Sequence, residues 1–239
     1  MRSRILLATV AIAAIAAVSA PAALANHSWG GYHWARTANP FTLQLGDNVS
    51  GPWDNMFRTA SNDWTQATVM NTSVVAGAAR PKNCRPTTGR VEVCNASYGN
   101  TGWLGVAQIW LTGGAHIVQG AVKNNDYYFG SSSYRYNNTA EMQHVICQEI
   151  GHTFGLDHQD ESGISLNTCM DYYHNTSASD TKSTHPNSHD YQQLSTIYQH
   201  LDSTTTVRAA TFSPAQKSKF VTPLRGGAKL VTYVTWAGF

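Results

Sequence analysis

The chain has 239 residues, 42 % hydrophobic and only 13 % charged, a balance that excludes a disordered polyelectrolyte and fits one folded domain with a sizeable core. Its 16 basic and 14 acidic residues leave a formal charge of +2, and Arg2 and Arg4 alone account for that surplus. The remainder is neutral and has no basic run, so nothing points to nucleic acid as a partner.

Residues 1–25 read MRSRILLATVAIAAIAAVSAPAALA. Two arginines, an apolar run from Ile5 to Val18 and the small-x-small end Ala23-Leu24-Ala25 form the pattern of a secretory signal peptide cleaved after Ala25. A retained membrane anchor asks for a longer run than this one, which Pro21 follows closely. The expectation is a secreted, extracellular chain starting at Asn26, monomeric and without membrane attachment after cleavage. Residues 26–40 are read as a leader segment, 41–202 as the principal domain and 203–239 as a C-terminal tail.

Phe41, Leu43 and Leu45 alternate with polar residues, predicting a strand that ends at Gly46. Ser50-Gly51-Pro52 then opens a helix in which Trp53, Met56, Phe57, Ala60 and Trp64 recur at helical spacing. Four short apolar runs bounded by Gly, Pro, Asn or Ser follow: 73–76, 91–94, 106–111 and 116–122. These read as strands. Asn138-Thr139-Ala140-Glu141 resembles a capping box and opens a helix to about Thr153. After a polar stretch from Gln159 to Ser188, helical spacing returns from His189 to Leu201. Leu230–Thr235 is a possible late strand. The pattern is α+β or mixed α/β, in one compact domain.

The four cysteines are Cys84, Cys94, Cys147 and Cys169. In an oxidising compartment an even count suggests two disulfides, with three ways to pair them. Nearest-neighbour pairing, Cys84–Cys94 and Cys147–Cys169, is the expectation. No two cysteines are two to four residues apart, which argues against a zinc–thiolate cluster. Asn48, Asn71, Asn95, Asn137 and Asn175 sit in N-x-S/T triplets.

The stretch with most chemistry is Gln148-Glu149-Ile150-Gly151-His152-Thr153-Phe154-Gly155-Leu156-Asp157-His158, at the end of the helix from Thr139. Gln148 and His152 are four apart and share a helix face, with Glu149 at its edge. Gly155 can take positive φ and turn the chain back, so that His158 approaches from outside the helix. Two imidazoles and a third donor around one point suit catalytic zinc with a position left for water, and an adjacent glutamate suits proton removal from that water.

This stretch resembles the long zinc motif of the metzincin metalloproteases, H-E-x-x-H-x-x-G-x-x-H, followed by a Met-turn. Glu149, His152, Gly155 and His158 match at every spacing, and Met170, in Thr168-Cys169-Met170-Asp171-Tyr172, lies where a Met-turn would be. The order of elements from Phe41 to Leu201 is similar to the secreted bacterial, matrixin-like members. The resemblance implies a twisted, mostly parallel sheet with an antiparallel edge strand, an active-site helix, a Met-turn and a C-terminal helix. It implies zinc held by Gln148, His152 and His158, with Glu149 as general base, in an endopeptidase acting on protein or peptide substrates. It also implies that one of the strands within 106–122 receives substrate by strand addition. Met170-Asp171-Tyr172 is similar to the M-x-Y of astacin-like members, which implies Tyr172 as a donor to the transition state.

One position departs from the family: Gln148 stands where it has its first zinc-binding histidine, and a carboxamide oxygen is a weaker zinc ligand than imidazole. His144 is eight residues before His152, about 12 Å along a helix, too far to take that place. The departure keeps a second class of function open, a pseudoprotease that binds peptides without cutting them. Retention of Glu149 weighs against it. Asp157, Asp160 and Glu161, beside His158, are candidates for orienting a ligand, for a structural Ca2+, or for solvated loop charge. His27, His33, His116, His174, His185, His189 and His200 show no ligand spacing with one another and read as surface or hydrogen-bonded histidines.

Overall fold

The computed structural model describes residues 26–206 and 219–236. In chain order the elements are β1 (His33–Trp34), β2 (Phe41–Asn48), α1 (Trp53–Trp64), β3 (Met70–Ala76), β4 (Val91–Ala96), β5 (Trp103–Thr112), β6 (His116–Asn125), α2 (Asp126–Phe129), α3 (Thr139–His152), α4 (Ser188–Ile197), β7 (Lys219–Pro223) and β8 (Lys229–Trp236). The strands form a mixed sheet in the order β3-β2-β4-β6-β5-β8-β7, with β1 pairing β6 at its start. Pairings on the β3 side are parallel, whereas β5–β6, β5–β8 and β7–β8 are antiparallel. The expected signal peptide lies outside the described residues. Among those described, no helix is long and apolar enough to cross a membrane.

In α1, Trp53, Phe57, Ala60, Ser61 and Trp64 fall on one face and are buried, the spacing that lays an amphipathic helix on a core. α3 is buried along nearly its whole length because α1 covers one side of it and β5, β6 and β8 the other. Asn138 caps α3 by accepting from Glu141 N at 3.0 Å. The reciprocal half of the expected capping box is not made: the Glu141 carboxylate instead accepts from His174 Nδ1 at 2.5 Å and Asn175 N at 2.6 Å.

Four expectations change. α4 ends at Ile197, not Leu201, because Tyr198 leaves helical geometry and its ring is fully buried. The leader segment is packed into the unit: Trp29, Trp34 and Arg36 are buried, and β1 pairs with β6. The tail supplies two strands where sequence suggested one. As a result β5 is antiparallel but is not an edge, since β8 runs along its outer side from Trp103↔Trp236 to Leu111↔Lys229.

Both expected disulfides are present, Cys84–Cys94 and Cys147–Cys169. The second joins the middle of α3 to the turn that carries Met170.

Candidate metal centre

The centre is built at the C-terminal end of α3, where three segments meet. α3 stops at His152, and Gly155 turns the chain at φ +96°. A Cβ at Gly155 would collide with the Tyr32 carbonyl oxygen, so glycine alone allows the N-terminal segment to cross here. That segment is tied to the turn by Trp29 N donating to Gly155 O at 2.7 Å and Asp157 N to His27 O at 2.6 Å.

The turn delivers His158 to His152. Their Nε2 atoms are 3.2 Å apart and their rings nearly perpendicular, with centroids at 4.8 Å. Each ring is set from behind. His152 Nδ1 faces Leu156 O at 2.9 Å, and His158 Nδ1 faces Glu161 Oε1 at 3.0 Å. A carbonyl or carboxylate partner places the proton on Nδ1 and leaves Nε2 as a lone-pair donor, the arrangement found behind metal-binding histidines. Both rings are buried.

Glu149 is fully buried. Its Cγ and Oε1 would each be 2.7 Å from a Cβ on Gly105, so it packs closely over that glycine of β5. Gln148 is also fully buried, and its amide nitrogen donates to Cys169 O at 2.9 Å and Asp171 O at 2.7 Å. Two carbonyl acceptors fix which end of the amide is nitrogen. His144 faces Asp171 O and Asn175 Oδ1, both at 3.1 Å, and burial pushes its pKa down.

The floor is the turn at 168–172. Met170 is fully buried, and its sulfur would be 2.6 Å from a Cβ on Gly151, so it packs directly over that glycine. Asp171 holds the turn by accepting from Leu166 N and Thr168 N, and burial raises its pKa. The Tyr172 ring meets His158 edge-on, with centroids at 5.1 Å. The expected site residues Glu149, His152, His158 and Tyr172 thus lie about one end of α3, with Gln148 one turn behind on the floor.

Sequence reasoning missed Tyr233. It lies on β8 opposite Ala107 of β5, almost fully buried, and its ring stacks on His152 with centroids at 4.0 Å and planes at 18°. Trp29 packs against both rings, its centroid 4.1 Å from that of Tyr233 and 5.8 Å from that of His152. Alternation in 230–235 revealed a strand, but nothing local named its partner.

Among the described residues, three groups of His, Asp and Glu are placed to hold a metal ion: Asp157, His158 and Glu161; His27, His189 and Asp190; and His33, His200 and Asp202. Asp160, read beside Asp157 and Glu161 as solvated loop charge with Ca2+ as one alternative, is outside the first group and accepts from Ser162 N and Oγ. No protein-family model matches this chain, and no curated protein matches it.

Proposed function

We propose that the chain is a secreted zinc-dependent endopeptidase of metzincin type. The observation that carries this reading is the facing pair of Nε2 atoms on His152 and His158, 3.2 Å apart, each ring oriented through Nδ1. Tetrahedral zinc with bonds of about 2.0–2.1 Å to nitrogen separates its ligands by about 3.3 Å, so the pair fits that ion. Nitrogen donors favour zinc over calcium at this point. The residues that would hold it are His152, His158 and the Gln148 carboxamide oxygen. Zinc bound there would polarise the scissile carbonyl and bring the pKa of a water toward neutrality.

The chain's own residues supply the rest. Glu149 takes the proton from the attacking water and returns it to the departing amine nitrogen. Glu161 holds the tautomer of His158. Tyr172, ring to ring with His158, is the candidate donor to the developing oxyanion. A peptide substrate would extend the sheet at β5. β8 lies on that side and Tyr233 covers His152, so the reading includes departure of the β7–β8 hairpin from β5 before substrate enters.

A pseudoprotease remains the second reading, and one observation favours it. Gln148 spends its amide hydrogens on the carbonyls of Cys169 and Asp171, as a strut would. Zinc content together with casein cleavage, with and without chelator, separates the two. The enzyme reading expects zinc and chelator-sensitive cleavage. A zinc-free, inactive chain that gains both on Gln148→His would establish the pseudoprotease.

A further inference from the structure

His33, His116, His200 and Asp202 come from three distant segments: β1, the start of β6 and the chain after α4. The structure gathers them around the Asp202 carboxylate. His33 Nε2 is 3.1 Å from His200 Nε2 and 3.5 Å from Asp202 Oδ1. His116 Nε2 is 3.1 Å and His200 Nε2 3.7 Å from the same oxygen. The rings of His116 and His200 stand nearly perpendicular to that of His33, with centroids at 4.9 and 4.6 Å.

We propose that His33, His200 and Asp202 form a second metal site, of two nitrogens and one oxygen with the remaining position left to water, that takes a divalent transition-metal ion, zinc first; His116 bonds the same Asp202 oxygen from outside the group. The site uses none of the residues assigned to peptide cleavage and does not depend on that reading. The three separations within this group, 3.1, 3.5 and 3.7 Å, bracket the roughly 3.3 Å between ligands of a tetrahedral zinc. The His33–His200 pair repeats the geometry of His152–His158, 3.1 against 3.2 Å between nitrogens and 4.6 against 4.8 Å between rings.

The surroundings orient the donors. His33 Nδ1 faces Gly31 O at 2.8 Å, which places its proton there and turns a bare Nε2 inward. Arg36 occupies the far oxygen of Asp202, with Nη1 at 2.8 Å and its backbone N at 3.1 Å, leaving Oδ1 to the imidazoles. Arg36 also donates to Tyr198 O and His200 O, which fixes the chain that carries His200. His33 is buried and Asp202 nearly so, whereas His200 is half exposed, which gives an ion a way in. The absence of thiolate and the single carboxylate disfavour soft copper(I) and hard calcium or magnesium. An ion here would staple the N-terminal segment to the sheet and to the end of α4.

The test counts zinc by competition with a chromophoric chelator, in wild type and in His152→Ala/His158→Ala. The proposal expects one equivalent to survive in the double variant. If the variant holds none, the cluster is a hydrogen-bonded network only and the proposal falls. If wild type holds one equivalent and the double variant still holds one, the cleavage reading loses its metal while this site stands. In the double-variant background, His200→Ala and Asp202→Asn should each weaken the remaining zinc by roughly a hundredfold or more, at least the upper end of the loss seen for outer-shell partners. His200 is half exposed, so its loss spares the fold, and near-ultraviolet circular dichroism confirms that. Unchanged affinity in both variants would overturn the assignment. Cobalt in place of zinc should give tetrahedral absorption that disappears with His200→Ala.

Discussion

Gln148 has two tasks at the residue scale, and they can be separated. Its amide nitrogen satisfies two buried carbonyls of the 168–172 turn, so Gln148→Ala should destabilise the metal-free protein by about 1–3 kcal/mol, the cost of unpaired buried groups. Urea denaturation in the presence of chelator reads this directly, and an unchanged midpoint would show that the strut carries no load. Gln148→His restores a nitrogen donor and should tighten zinc by about 1–3 kcal/mol, the scale of one good charge-assisted contact, measured by chelator competition. At this scale the sequence was informative where spacing alone decides geometry. Gln148, Glu149 and His152 lie on or beside one helix face, and a glycine three residues after His152 announces a turn. It was silent on what sits behind each ring, because Glu161, Leu156 O and Asp171 O are matters of loop path. His33, His116 and His200 share no spacing and meet only through pairing of β1 with β6 and the return of the chain after α4.

Between elements, the strongest tie is Cys147–Cys169, which joins α3 to the turn below the centre. It closes a 22-residue separation, and its reduction should lower stability by about 3 kcal/mol. Thermal unfolding with and without reductant, with Cys84→Ser/Cys94→Ser as background, isolates this bridge. The hairpin β7–β8 is the other element with consequences. Tyr233 stacks on His152 and β8 occupies the outer side of β5, so Tyr233→Ala should raise the rate of casein cleavage while lowering thermal stability. A slower variant would mean that Tyr233 helps catalysis and does not cover the site. Elements with strong local signals were legible, α1 and α3 by period and cap, β2 to β6 by apolar runs between turn residues. β1 is two residues long, and the pairing of β8 with β5 spans more than a hundred residues. Neither leaves a local trace.

Across the whole molecule, the N-terminal segment meets α4 where His27 N donates to Gln193 Oε1 at 3.2 Å, and there His27 Nε2 lies 3.5 Å from Asp190 Oδ1. Burial lowers the pKa of His27 to about 4 and raises that of Asp190 to about 7. The two shifts act in opposite directions on stability. Between about pH 4 and 6.5 the unfolded chain protonates His27 and the folded one does not, so this group makes stability rise with pH. Over the same range the folded chain keeps the proton on Asp190 and the unfolded one loses it, so that group makes stability fall. Wild type should therefore be nearly flat there as far as this pair is concerned. Asp190→Asn should uncover a rise of about 3 kcal/mol from pH 4 to 6.5, and His27→Asn a fall of about that size. Urea midpoints at the two pH values check both signs, and parallel profiles for wild type and both variants would refute them. What the assembled centre does is read most plainly through Glu149→Gln. Glu149 is assigned to the water, not to the metal. The variant should keep its full complement of zinc and its circular dichroism while casein cleavage falls by about a hundredfold or more. Cleavage at the wild-type rate by the Glu149→Gln protein would remove Glu149 as the base and the proposed hydrolysis with it.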